Sequence, residues 1–161
     1  MKIYLVGFMG AGKSTVGRLL SKELNLSFVD LDHVIEQQSD KKISDIFKED
    51  GEIAFRKIEA DSLRNSDAEI IATGGGILYM EETGRWMRNE GTIIYLHAPF
   101  EELYARIQGD TSRPVAARPY EELKNLYEKR DREYRSVSHH QVSVSDCSPQ
   151  ETVSEMISLL R

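Results

Sequence analysis

Eight residues near the start of the chain constrain the rest. Gly7-Phe-Met-Gly-Ala-Gly-Lys-Ser14 fits G-x-x-x-x-G-K-[ST] at all four fixed positions. The apolar run Ile3-Tyr-Leu-Val6 before it reads as a buried strand. After it, Val16, Leu19, Leu20 and Leu24 share one face of a helix. Strand, glycine loop and helix in that order are the context the motif needs. Glycines let the loop turn several N–H groups toward phosphate oxygens, and the helix N-terminus adds partial positive charge there. Lys13 is of a length to reach the β- and γ-phosphates, and the Ser14 hydroxyl suits a magnesium ion. A turn that merely caps a helix would not require lysine and serine at these places, so the chain is expected to bind a nucleoside triphosphate.

With 161 residues the chain is expected to form one domain with a substantial core. A net charge of −6 disfavours a general nucleic-acid or anionic-membrane binder, which needs a basic face. No apolar run approaches the ~20 residues of a membrane span, and a core strand begins at Lys2 with no room for a leader. The single cysteine, Cys147, leaves no internal disulfide or multi-cysteine metal site. The expectation is a cytoplasmic protein without nucleic-acid or membrane partners, and a monomer, because no long apolar stripe lacks a core role.

Farther along, residues 26–32 read as a second strand ending in two aspartates. Residues 33–65 read as a mostly polar helical region broken near residues 40–42 and at Gly51. Residues 70–73 form a buried strand running into Gly74-Gly75-Gly76; residues 79–89 form a helix and residues 92–97 a fourth strand. A helix follows Pro99 and breaks at Gly109. Residues 110–119, with two Arg-Pro pairs and no apolar period, read as a mobile loop, and residues 119–135 as a helix. Residues 141–144 make a fifth strand, and Ser148 caps a last helix. Alternating apolar strands and helices predict an α/β fold, a five-stranded parallel sheet with helices on both faces. Ligands of such sheets bind beyond the strands' carboxyl ends, where the glycine loop, the aspartates and the triple glycine should meet.

In an extended chain Asp30 and Asp32 would point the same way. Beside phosphates, one suits a magnesium ion through water and the other a substrate hydroxyl; equally, Asp32 before Val34 and Ile35 would serve as a helix N-cap. Three glycines exceed what a turn requires and would let a backbone approach a ligand, although a tight strand–helix connection remains open. Arg56 lies between Ile53 and Ile58, which read as the inward face of a helix. For Arg130 the neighbouring Glu128 and Arg132 suggest a solvated surface. Spacing alone does not say which arginine enters the cleft. The adjacent His139 and His140 lack a partner cluster for a metal, and Trp86, Met87, Tyr127 and Tyr134 read as packing residues.

These segments together closely resemble the shikimate kinase family: residues 7–18, Phe28-Val-Asp-Leu-Asp32, Ile43-Ser-Asp-Ile-Phe47, Gly51-Glu52 with Phe55-Arg56, Thr73-Gly-Gly-Gly76 and Thr111-Ser-Arg-Pro114. The resemblance spans essentially the whole chain. It implies a P-loop NTPase fold with a core of residues 1–32, 61–108 and 124–161, a helical substrate-binding segment at 33–60 and a mobile lid at 109–123. It also implies transfer of the γ-phosphoryl group of ATP to the 3-hydroxyl of shikimate. Gly10, Ala11, Gly12, Lys13, Ser14 and Thr15 would bind the triphosphate, with Ser14 and Asp30 on Mg2+. Asp32 would contact the ring hydroxyls, including the one to be phosphorylated, while Arg56, Arg130 and the Gly75 backbone hold the substrate. Arg113 would reach the phosphates from the lid, and Arg106 would pack on the adenine. The catalytic set is then Lys13, Asp32 and Arg113. The lid departs from the usual Arg-Pro-Leu-Leu in reading Arg113-Pro-Val-Ala-Ala, and only Pro149 matches in the short adenine-side loop.

The chemistry agrees, since a small hydroxylated carboxylate needs cations at one end and a carboxylate at the other. Another small-molecule kinase of similar fold, such as a gluconate or nucleoside monophosphate kinase, is the neighbouring alternative. A nucleotide-dependent regulatory switch is the alternative of another class, and it would have no use for Asp32, Arg56, Gly75 and Arg130 together.

Overall fold

The structure, a computed structural model, describes residues 1–108 and 118–161. Five strands, β1 (Ile3–Val6), β2 (Phe28–Asp30), β3 (Ile70–Ala72), β4 (Thr92–His97) and β5 (His140–Ser143), form one sheet in the order β2-β3-β1-β4-β5. Every pairing is parallel; β1 matches Ile3 to Ile70 on one side and to Thr92 on the other. The helices are α1 (Lys13–Leu24), α2 (Leu31–Ser39), α3 (Ile43–Asp50), α4 (Glu52–Asn65), α5 (Glu81–Glu90), α6 (Phe100–Ile107), α7 (Tyr120–Val137) and α8 (Pro149–Leu160), with a 3-10 turn at Ile77–Tyr79. None of the described helices is long and apolar enough to cross a membrane.

Strand alternation divides the core in two. Ile3, Leu5, Ile94, Leu96 and Val142 pack with Val16 and Leu20 of α1, Leu103 of α6 and Met156 of α8. Tyr4, Val6, Ile71, Ile93 and Tyr95 pack on the other face with Ile35, Leu63, Met87 and Tyr134. All of β1 is buried, as a central strand covered on both faces must be. The helix boundaries follow local chemistry: Ser148 and Glu151 form a reciprocal capping box at α8, with Pro149 opening that helix.

Several expectations need correcting. The second strand stops at Asp30, because the Asp30 side chain accepts from the His33 N–H and caps α2. Leu31 and Ile35 then turn into the core, and Asp32 occupies the first helical turn rather than an extended position beside Asp30. Asp30, not Asp32, is the cap. The helix read at residues 79–89 is the 3-10 turn followed by α5, and β5 begins one residue earlier than expected, at His140. On α4 the inward face is not the one expected: Ile53 is 64% exposed, while Phe55, Arg56, Glu59, Ala60 and Leu63 are buried. Residues 110–117 of the loop expected at 110–119, and with them Arg113, lie outside the described residues.

Candidate active site

The carboxyl ends of β2, β3 and β1 open into one cavity of about 640 Å³, whose walls include Lys13, Ser14, Asp30, Asp32, Arg56 and Arg130. The loop after β1 is shaped by two glycines in left-handed conformation, Gly10 at φ 85° and Gly12 at φ 88°. Gly12 is the N-cap of α1, so the start of that helix faces the cavity. Lys13 Nζ donates to the carbonyls of Gly7 at 2.6 Å and Phe8 at 3.2 Å, which folds its ammonium across the loop. Arg106 braces the same loop from α6, donating to the Gly10 carbonyl at 3.1 Å and the Val144 carbonyl at 3.3 Å.

Ser14 Oγ donates to Asp30 Oδ2, so a hydroxyl and a carboxylate meet beside the phosphate loop. These hard oxygens fit Mg2+. Among the described residues no group of three or more His, Cys, Asp and Glu could hold a metal, so an ion at Ser14 and Asp30 would complete its shell with water and phosphate. Asp32 is half-buried, and burial followed by the charge of Asp30 pushes its carboxyl up, against the pull of Lys13 and Arg56. It is therefore a better proton acceptor than a surface carboxylate.

Arg56 is only 5% exposed. Its guanidinium pairs with Glu59 at 3.0 Å and Glu52 at 3.1 Å, and lies over the rings of Phe47, Phe55 and Tyr79 at 5.2–5.7 Å. Glu59 is 2% exposed, and burial raises its carboxyl to about 7 despite the charge and hydrogen bond of Arg56. Glu59 Oε2 and Arg56 Nε have no hydrogen-bond partner among the described residues. Arg130, from α7, reaches the Gly74–Gly76 run from the other side. Burial lowers its affinity for its proton, and the Arg56 charge pushes the same way.

The triple glycine is explained by space. A Cβ on Gly74 would come within 2.7 Å of Glu59 Oε2 and 2.9 Å of Asp32 Oδ1; one on Gly75, within 3.1 Å of Arg130; and one on Gly76 would strike the Arg56 guanidinium. None of the three has positive φ. They are small because four site side chains converge on them.

Asp32, Arg56, Gly75 and Arg130 thus line one cavity with the phosphate loop, and Arg106 supports that loop from behind. Two groups escaped the sequence reading. Glu59 stands one turn after Arg56, a spacing that signals an ion pair but not its burial. Tyr134 packs as expected, yet its hydroxyl donates to the Gly75 carbonyl and ties α7 to the glycine run. His139 accepts from the Ile93 N–H at 3.0 Å through Nδ1, a structural role.

The family model described as Shikimate kinase matches residues 9–161. A shikimate kinase of Persephonella marina is 41% identical over 162 residues, covering 99% of this chain and 98% of the relative. The solved shikimate kinase from Acinetobacter baumannii in complex with shikimate matches with a TM-score of 0.93 at 34% identity, over 99% of this chain and 92% of that one. A gluconokinase from Sinorhizobium meliloti, with a TM-score of 0.55 at 17% identity over 98% of this chain and 89% of that one, shares the fold alone.

Proposed function

The chain belongs to the shikimate kinase family and is an ATP-dependent kinase acting on an alcohol group of shikimate, and we propose how its residues share that work. The observation that carries the reading is the shared cavity: phosphate-loop groups on one wall, and Asp32, Arg56 and Arg130 on the other.

The backbone from Gly10 to Thr15 and the Lys13 ammonium hold the triphosphate. Arg106 packs on the adenine side. Ser14, and Asp30 through water, hold Mg2+, which when bound neutralises charge on the β- and γ-phosphates. The shikimate carboxylate faces Arg130 and Arg56, the Gly75 N–H adds a contact, and the 3-hydroxyl hydrogen-bonds to Asp32. Asp32 orients that oxygen toward the γ-phosphorus and takes its proton as the new P–O bond forms and the bond to ADP breaks. A loose transition state asks for positioning and charge neutralisation above all, and Lys13 and Arg113 supply the latter from the protein. Residues 33–60 form the substrate-binding segment and 109–123 the lid, around a core of 1–32, 61–108 and 124–161. The reading takes the enzyme to be a monomer, because no long apolar stripe of the sequence lacks a core role. The reading assigns the enzyme to the cytoplasm, where its nucleotide is, with no nucleic-acid or membrane partner.

The test is ADP release with Mg2+ and ATP, with shikimate, gluconate or AMP added separately. Only shikimate should stimulate release. Asp32→Asn should lower kcat by at least ~100-fold, the scale of one proton-accepting group, with nucleotide binding retained. Arg130→Ala should raise the KM for shikimate. Stimulation by gluconate or AMP instead would move the substrate, and none by any acceptor would overturn the reading.

A further inference from the structure

A second, smaller cavity of about 180 Å³ adjoins the first. The two share five lining residues: Arg56, Gly75, Gly76, Arg118 and Arg130. None of the phosphate-loop residues 10–15 lines the smaller one, so a group common to both stands on the wall away from the triphosphate. Four of the five are already accounted for on that wall. Arg118 is the fifth.

Charge balance indicates what Arg118 does there. Arg56 is held between Glu52 and Glu59, so most of its charge is answered within the protein. Arg130 makes no ion pair with a described carboxylate and lies against the Phe8 ring at 6.0 Å. A substrate carboxylate between them would therefore meet one compensated and one uncompensated cation. Arg118 also makes no ion pair or hydrogen bond with another described residue, and it is exposed toward the same space.

Its position is anchored from the helix side. Pro119 follows it, which restricts Arg118 to extended backbone, and Pro119 is the N-cap of α7. The first turn of α7 is pinned: Tyr120 donates to Glu101 and packs on Phe100 and Tyr104, and Leu123 is fully buried. The guanidinium is thus carried at the helix-side end of the lid, next to a pinned helix start, on a long, adaptable side chain.

We propose that Arg118 is a third cation for the substrate's carboxylate, supplying with Arg130 the positive charge that Arg56 has spent on Glu52 and Glu59. This rests on the cavity being the shikimate site. It distinguishes Arg118 from the phosphate-directed cations Lys13 and Arg113.

The test is steady-state kinetics of wild type, Arg118→Ala and Arg118→Lys on shikimate and on its neutral methyl ester. Arg118→Ala should raise the KM for shikimate about tenfold, the effect of one charge-assisted hydrogen bond at an exposed position. It should leave kcat and the KM for ATP within about twofold, and Arg118→Lys should recover part of the loss. The preference for shikimate over the ester, as a ratio of kcat/KM values, should fall about tenfold in Arg118→Ala. An unchanged KM for shikimate, an equal loss on the ester, or a rise confined to the KM for ATP would overturn the inference while leaving the kinase reading intact. A wild-type enzyme that shikimate does not stimulate would overturn both.

Discussion

Glu59 is a carboxyl group in a nearly closed space, and its behaviour follows from two opposed forces. Burial disfavours its charge, the guanidinium of Arg56 favours it, and burial wins, so the group titrates at about 7. An unfolded chain releases the same proton near the ordinary 4.5. Between those values the folded state holds the proton that the unfolded state has lost. The contribution to stability is therefore complete below about pH 4.5 and is lost as pH rises through about 7. Without ligands, urea unfolding at pH 5, 6, 7 and 8 should show stability falling by up to about 3 kcal/mol from this group. Glu59→Gln should flatten that fall, leaving what the raised Asp32 contributes in the same direction. Parallel pH profiles for wild type and variant would show that Glu59 titrates normally.

At the scale of elements, the segment after β3 and helix α4 are fitted to each other. Gly76 has ordinary backbone angles, but a methyl group there would lie 2.6 Å from Arg56 Nη1, and Arg56 is locked by its two carboxylates and three rings. Gly12 is the reverse case, with nothing within 4 Å of an added Cβ but a φ of 88°. Both glycines are needed, for different reasons. Gly76→Ala should cost about 1–3 kcal/mol in stability by overpacking, and it should raise the KM for shikimate because Arg56 must move. Gly12→Ala should act through backbone strain of about 1–2 kcal/mol and weaken nucleotide binding. Chemical denaturation with separate KM measurements for the two substrates distinguishes them; a Gly76→Ala enzyme with an unchanged KM for shikimate would disconnect the glycine run from Arg56.

At the scale of the molecule, strand order accounts for the site. β2, β3 and β1 are neighbours in that order. With strands about 4.8 Å apart, the ends of β2 and β1 stand about 10 Å from each other, and the glycine run after β3 lies between the Asp30–Asp32 segment and the phosphate loop. A ligand bridging these ends ties together segments distant in sequence, so binding should stabilise the whole fold. Saturation at ~100 times Kd should raise Tm by about 5–10 °C. Chelating Mg2+ should remove most of the shift caused by ATP and leave that caused by shikimate; a shift by ATP indifferent to chelation would remove Ser14 and Asp30 from the metal. Much of this architecture was legible in the chain. The phosphate loop, the five strands and the helices between them follow from local spacing, apolar period and turn residues, because these act over a few neighbouring positions. The arrangement of α4 did not. Periodicity assigns apolar residues to the inside, which put Ile53 inward; the spacing of Glu52 and Glu59 on α4 signals their pairing with Arg56, but only the packed molecule brings Phe47 and Tyr79 over the guanidinium and buries it. In the same way, the Tyr134 bond to Gly75 and the place of Arg118 beside two cavities arise from α7 returning to the glycine run. Local sequence determined which elements form and which chemistry they carry; tertiary structure decided which polar groups go inside, because burying a polar group depends on partners that only the fold assembles.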